Sequence, residues 1–349
     1  MCLVSKEIGS EFSYQENNFG HGILLPEGVK DYVYTFSGRT AIETVLKNEP
    51  QIKKAMLPSY CCDSMIEPFR RKGIKVCFYD VNYKDRLQIN IKLEDDIDAI
   101  LWCNYFGFNV EMPDFSEFLI NGGIIIEDIT HSFYSSKKYD KQSNYLVASI
   151  RKWEPVLCGG YCASIKTNLK YKPLNFPSKE FLEDKKKAMN LKREYLEGNT
   201  LIEKREFLEK FSKSNKWLAD NYFELLMDEE SKYILKHIDF KGNIIQRKNN
   251  AKELFKGLKK CRCVIPLFKE EEIDCPLFVP ILAKIENRSY IRKRLTENNI
   301  YCPIHWPKPN EKCESNLYDM ELSLVCDQRY NENDMKRIIE IIQECEKNL

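Results

Sequence analysis

Between Val33 and Ile165 the sequence alternates short apolar runs with stretches of helical spacing, and this alternation limits the fold more than any other feature. The runs are Ala55-Met56-Leu57, Ile74-Lys75-Val76-Cys77-Phe78-Tyr79, Ala99-Ile100-Leu101-Trp102-Cys103, Ile124-Ile125-Ile126 and Tyr145-Leu146-Val147-Ala148-Ser149-Ile150. They lack a strict polar alternation, as strands buried on both faces do. Ala41, Ile42, Val45 and Leu46, ahead of the first run, fall on one face of a helix. Strand and helix signals taken in turn predict an α/β fold, a doubly wound sheet of mainly parallel strands.

After Lys166 the character changes. Pro173 and Pro177 open a stretch dense in Lys and Glu, through which Phe181, Met189, Tyr195, Phe207 and Phe211 are spread; this reads as long helices with one solvated face. From about Asp228 the pattern is that of a smaller α+β unit. Its strand candidates are Leu277-Phe278-Val279-Pro280-Ile281 and Leu322-Ser323-Leu324-Val325, with helices at 290–298 and 333–346. We therefore expect a large domain over 1–227, long charged helices included, and a small C-terminal domain over 228–349. A length of 349 residues with 43% hydrophobic composition allows two such cores.

Charge and cysteine usage narrow the function classes. Lys+Arg is 54 against Asp+Glu 53, which argues against nucleic acid or a polybasic membrane surface as the main partner. No apolar run approaches the ~18 residues of a membrane span. The opening MCLVSKEIGSEF carries Lys6, Glu7 and Glu11 and no apolar signal core, so a cytoplasmic protein is expected. The 14 cysteines form no CxxC pair and the four histidines are scattered, so we expect buried reduced thiols and no metal site.

In a doubly wound sheet the ligand sits beyond the carboxyl ends of the strands. Three segments place chemistry there. Ser37-Gly38-Arg39-Thr40-Ala41 precedes a helix, where exposed N–H groups suit a phosphate, although Ser-Gly is also an ordinary helix cap. Ile124-Ile125-Ile126 ends in Glu127-Asp128; two adjacent acids point to opposite faces, so one of them points inward and needs a partner. Ser149-Ile150-Arg151-Lys152 ends another apolar run and is followed by Gly159-Gly160, and a lysine in a partly desolvated cleft becomes a nucleophile towards aldehydes. Phosphate cradle, strand-end acid and strand-end lysine are the parts that hold pyridoxal phosphate.

The segments SGRTAIETVL, LPSYCCDSMIEPFRRKGIKVCFYDV, AILWCNYFG, IIIEDITHS, SIRKWEPVLCGGYCAS, ENNIYCPIHWP and LSLVCDQRYNENDM together resemble the DegT–DnrJ–StrS nucleotide-sugar aminotransferases. These are pyridoxal-phosphate enzymes of fold type I, with the aspartate aminotransferase-like fold, and the chain looks like a divergent member. The resemblance implies that Lys152 forms the internal Schiff base, that Asp128 pairs with the pyridine nitrogen and that His131 lies near the cofactor ring or its 3′ oxygen. It also implies that the phosphate is held by the Ser37-Gly38-Arg39 turn, Gly38 and Arg39 through backbone N–H, together with Ser149. Tyr60 stands near the position of the aromatic that stacks on the ring in many members, shifted by a position or two.

Departures from the family pattern bear on the substrate. Asn104 replaces a strand-end His, and the loop that reaches a neighbouring subunit is not recognisable after Gly160. Arg329 is a candidate for an amino donor's carboxylate, against a packing salt bridge, and His305 is a candidate contact to nucleotide or sugar, against plain packing beside Trp306. The implied activity is transfer of an amino group from an amino acid, glutamate foremost, to a nucleotide-linked keto-sugar in surface polysaccharide or secondary-metabolite sugar synthesis. The alternatives are a pyridoxal-phosphate enzyme acting on an amino acid or another non-nucleotide keto compound, or a non-catalytic pyridoxal-phosphate-binding protein. A homodimer is implied as well, with Phe181, Tyr195, Phe207, Phe211 and Trp217 of the charged helices available either to a symmetry mate or to their own sheet.

Overall fold

The computed structural model describes residues 7–15, 20–23, 25–310 and 313–349. Residues 1–6, half of the stretch searched for a leader segment and including Lys6, lie outside them. β1 (Ile8–Gly9) is followed by the strands of one large sheet: β2 (Asp31–Thr35), β3 (Lys54–Pro58), β4 (Lys75–Tyr83), β5 (Leu87–Asn90), β6 (Ala99–Cys103), β7 (Ile124–Asp128), β8 (Tyr145–Ala148) and β9 (Gly160–Ser164). Their spatial order is β2-β9-β8-β7-β6-β3-β4-β5. The central strands β4, β3, β6, β7 and β8 are parallel, and each holds one of the five apolar runs, save that Ile74 precedes β4 and Ser149 and Ile150 follow β8. Every residue of β6, β7 and β8 is buried, which is why those runs show no polar alternation.

Antiparallel strands flank this parallel centre, and β2, β5 and β9 have no clear apolar-run signal. The sheet runs antiparallel from β8 to β9 and again from β9 to β2. Two reversals restore the direction, so the carboxyl end of β2 shares an edge with those of β3, β6, β7 and β8. From that end the chain enters α1 (Gly38–Asn48), which Ser37 caps by accepting from the Thr40 N–H. The amino end of β9 reaches the same edge: Thr35 pairs with Gly160, and Gly159 N–H donates to the Phe36 carbonyl at 2.8 Å.

The charged stretch folds as the helices Lys179–Leu196 and Lys204–Asp220. Their rings pack within the chain. Phe181 lies 4.6 Å from Trp217 and 5.2 Å from Phe36, and Phe207 lies 5.3 Å from Tyr195 and 6.4 Å from Phe211. Of the two uses open to these side chains, packing on their own subunit is the one seen. Farther on, β10 (Ile265–Pro266), β11 (Phe278–Leu282) and β13 (Glu321–Val325) form a three-stranded antiparallel sheet. The helix Glu332–Glu346 packs along the helix Phe240–Leu258 and buries Met335, Ile338, Ile339 and Ile342. β12 (Ile300–Tyr301) pairs in parallel with β1, so the first described residues join the last third of the chain.

Gly160 marks where this architecture is tightest. A Cβ there would stand 2.3 Å from the Ser37 carbonyl oxygen and 2.6 Å from the Thr35 hydroxyl. We predict that Gly160→Ala forces β2 and β9 apart and lowers stability by about 1–3 kcal/mol. Chemical denaturation measures this, and an unchanged midpoint would show that the close approach is dispensable.

Candidate active site

The ends of five strands and one loop meet in a pocket lined by Ser37, Gly38, Arg39, Cys62, Cys103, Asp128, Thr130, His131, Ser149, Arg151, Lys152 and Trp306, among others. Ser37, Gly38 and Arg39 are at the start of α1, where the first backbone N–H groups have no partner within the helix. The Gly38 Cα approaches Ser149 so closely that a Cβ would meet its side chain at 3.2 Å, which brings the two halves of the expected phosphate cradle together.

The two acids at the end of β7 divide as alternation along a strand requires. Glu127 turns away and is fully used: it accepts from Asn104 Nδ2 at 2.7 Å, from the Asp140 N–H at 2.8 Å and from the Ser143 hydroxyl. Asp128 lines the pocket. One of its carboxylate oxygens, Oδ1, accepts from the Thr130 N–H at 2.8 Å. Burial raises its pKa, against the hydrogen bonds from Thr130 and the charge of Lys152. Thr130 binds the neighbouring loop as well, since its hydroxyl accepts from the Ser149 N–H at 3.0 Å and its carbonyl from Trp153 Nε1 at 2.6 Å.

His131 is buried against Trp306, with ring centroids 5.4 Å apart and planes at 26°. Its Nδ1 accepts from the Phe106 N–H at 3.1 Å, so the ring proton belongs on Nε2, which is buried without a partner. Burial, then the charge of Lys152, then His305 hold this imidazole well below the usual histidine range and keep it neutral. Lys152 ends a single 3-10 turn, Ile150–Lys152, directly after β8. Its amine has no hydrogen bond or ion pair among the described residues.

Three sequence candidates are placed differently. Tyr60 is fully buried behind the pocket, 5.1 Å from Trp306 and Tyr318 and 5.8 Å from Tyr105. It is not on the pocket wall, and Trp306 is the aromatic that lines it. Arg329 has its guanidinium forked onto Asp327, at 2.9 and 2.7 Å, and onto the carbonyls of Ser10 and Glu11. That is the packing alternative, in which Arg329 anchors the N-terminal segment. His305 lies between Phe106, His131, Phe278 and Trp306, and its Nδ1 shares a 2.7 Å hydrogen bond with the Ser323 hydroxyl. It also borders a second cavity, of about 470 Å3, which shares Arg151 and Lys152 with the first.

The sequence reading missed Thr130, Trp306 and Arg151 as wall residues. A hydroxyl residue two places after a strand-end acid was the available signal for Thr130; Trp306 and Arg151 had none beyond proximity to named candidates.

No family model and no curated protein matches the sequence. Solved structures match along nearly the whole chain. The putative sugar aminotransferase Spr1654 from Streptococcus pneumoniae, in its PLP form, aligns with a TM-score of 0.64 at 11% identity, over 98% of this chain and 99% of its own. A DegT DnrJ EryC1 StrS aminotransferase from Brucella abortus aligns with a TM-score of 0.62 at 16% identity, over 91% and 87%. DesI, solved in the presence of its TDP-sugar product, aligns with a TM-score of 0.60 at 10% identity, over 96% and 94%. The fold is thus the one the motifs led us to expect, the fold-type-I fold of the DegT–DnrJ–StrS aminotransferases.

The wall next to His305 has a pH dependence of its own. Glu321 accepts from the His305 N–H at 2.7 Å and from the Ser323 hydroxyl, and burial lifts its carboxyl from 4.5 to about 8. The folded protein then keeps a proton that the unfolded chain has lost between those two values. Stability therefore falls as pH rises across that window, by at most about 1.4 kcal/mol per pH unit. We predict that Glu321→Gln flattens this slope in denaturation curves recorded from pH 5 to 8; an unaltered slope would place its origin at another group.

Proposed function

We propose that the protein is a pyridoxal-phosphate-dependent aminotransferase that moves an amino group from an amino acid, glutamate foremost, to a keto-sugar carried on a nucleotide. The observation that carries this reading is one sheet edge. It joins a helix N-terminus, a buried carboxylate, a neutral histidine with an unpartnered Nε2 and a lysine with an unpartnered amine. These groups fit the cofactor's phosphate, ring nitrogen, ring oxygen and aldehyde in turn, and the orphaned His131 Nε2 is the part of the set for which the protein alone supplies no use. When bound, pyridoxal phosphate supplies an aldehyde that exchanges amines and a ring that accepts electrons.

The chain's own residues then have distinct tasks. The N–H groups of Gly38 and Arg39 and the Ser149 hydroxyl bind the phosphate. Asp128 holds a proton on the ring nitrogen, and that positive partner offsets the cost of its own burial. His131, kept neutral by its surroundings, donates from Nε2 to the ring oxygen. Lys152 Nζ would carry the proton from the donor's Cα to the cofactor's aldehyde carbon, and in the second half would carry one from that carbon to the acceptor. Trp306 and Met65 close the wall against water.

Further support for the sugar half comes from the structures with this fold, which include sugar aminotransferases and one solved with a TDP-sugar product. The thirteen described cysteines are all free, which supports a reducing, cytoplasmic location. Among the described residues no helix is long and apolar enough to cross a membrane. The homodimer belongs to the proposal too. It loses the motive of the charged helices, whose rings are already packed, and gains one from Leu174 and Phe176, 82% and 53% exposed two residues apart.

Borohydride reduction of the yellow protein should fix the cofactor on the peptide containing Lys152. Asp128→Asn should keep that label while transamination falls by orders of magnitude, each tenfold loss being roughly 1.4 kcal/mol of barrier. A label on Lys137, Lys138 or Lys141, or near-normal turnover in the Asn variant, would refute the assignment. Light scattering at micromolar concentration should give twice the chain mass; a fully active monomer contradicts the dimer.

A further inference from the structure

The cavity of about 470 Å3 beside Lys152 is strongly cationic. Arg151, Lys152, Arg247, Arg292 and Arg329 line it, against the acids Glu11 and Asp327. Both acids are engaged, Asp327 by the Arg329 fork and Glu11 by Lys185 at 3.3 Å and Asn215 at 3.0 Å. Arg329 is closed by Asp327 and by the N-terminal carbonyls, so it is already spoken for.

Arg247 is in a different state. It comes from the helix Phe240–Leu258 and is 0% exposed. Its Nη1 donates to the carbonyls of Pro276 and Leu277 at 3.3 and 3.2 Å, and its guanidinium lies over the Trp153 ring at 4.5 Å. Its Nε is buried with no partner, and no described carboxylate stands within ion-pair distance. The nearby Glu154 is taken by the Tyr134 hydroxyl, Asn243 and Gln328, and burial lifts it to about 7, so it offsets the cation only in part. A buried guanidinium without a counter-ion is costly, and a cavity wall is where a ligand can provide one.

We propose that Arg247 determines amino-donor specificity, its guanidinium in the cavity wall pairing with a carboxylate of the donor amino acid beside Lys152. The inference rests on the aminotransferase reading. A planar guanidinium already fixed on an aromatic face matches the planar carboxylate fork. The other anion of the proposed reaction is the nucleotide's phosphate, and the test separates the two.

Full-length protein saturated with pyridoxal phosphate is titrated calorimetrically with succinate, a dicarboxylate with no amine to react, and separately with pyrophosphate. Succinate should bind saturably, and Arg247→Gln should weaken it by about tenfold or more, the worth of a charge-assisted hydrogen bond. Pyrophosphate binding should be the same in both proteins. Arg247→Lys keeps the charge, loses the fork and decides the matter if the Gln variant does not fold; it too should bind succinate about tenfold more weakly. The assignment is overturned if the wild type does not bind succinate, if a folded Lys variant binds it as the wild type does, or if the substitutions abolish pyrophosphate binding instead. Failure of the aminotransferase reading shows separately, as absence of the borohydride label on Lys152. The succinate titration is then repeated without cofactor, and an Arg247-dependent signal there leaves the carboxylate site standing.

Discussion

Burial of β6, β7 and β8 on both faces is the constraint on which the rest of the molecule depends. A sheet sealed above and below has no room for polar side chains along its strands, so polar groups collect where the strands end. Parallel pairing then puts those ends on a single edge. Cys103 sits opposite Asp128 in the β6–β7 ladder, and Ser149 follows directly on β8. The double reversal through β9 adds the start of α1 to the same edge. The pocket is a consequence of strand direction before it is a consequence of any particular side chain.

What keeps that edge in shape is a small set of backbone anchors. Thr130 binds Asp128, Ser149 and Trp153 at once, so one residue couples the acid to the loop that carries Lys152. Gly160 lets the β9 backbone pass against Ser37, which no residue with a Cβ allows without displacing the turn that opens α1. Such anchors cost little in side-chain entropy and hold functional groups on rigid elements rather than on loose loops.

Charge is handled differently on the two sides of Lys152. Toward the N-terminal segment, buried ions are paired: Lys192 with Glu7 at 3.1 Å, Lys204 with Glu7 at 2.6 Å and Arg329 with Asp327 at 2.7 Å. These contacts bind residues 7–12 to the helices Lys179–Leu196 and Lys204–Asp220 and to the segment after β13. Toward the sheet edge the polar groups keep open valences, at His131 Nε2 and at the Lys152 amine.

The sequence by itself determined the parallel centre of the sheet, because strands buried on two faces must be written as continuous apolar runs. It also marked Ser37–Arg39, Asp128, His131, Ser149 and Lys152 as a candidate set, since strand-end chemistry follows each run at once and the order of motifs resembles that of a family. The helix at 333–346 was legible from its periodicity, and the one read at 290–298 begins earlier, at Ile285. The antiparallel flanks were not, because β2, β5 and β9 mix polar with apolar residues. Which of Glu127 and Asp128 faces inward, and which arginine is occupied, depended on contacts between segments more than a hundred residues apart or on the hand of a strand. Tyr60 looked like a ring-stacking residue from its position in a motif, and tertiary packing gave it to the core and put Trp306 on the wall. Arg247 carried no signal in the sequence. Only the packing of the helix Phe240–Leu258 against Trp153 and Leu277 made it a buried charge with no carboxylate at ion-pair distance, because burial and neighbours, not residue type, decide what a charge can do.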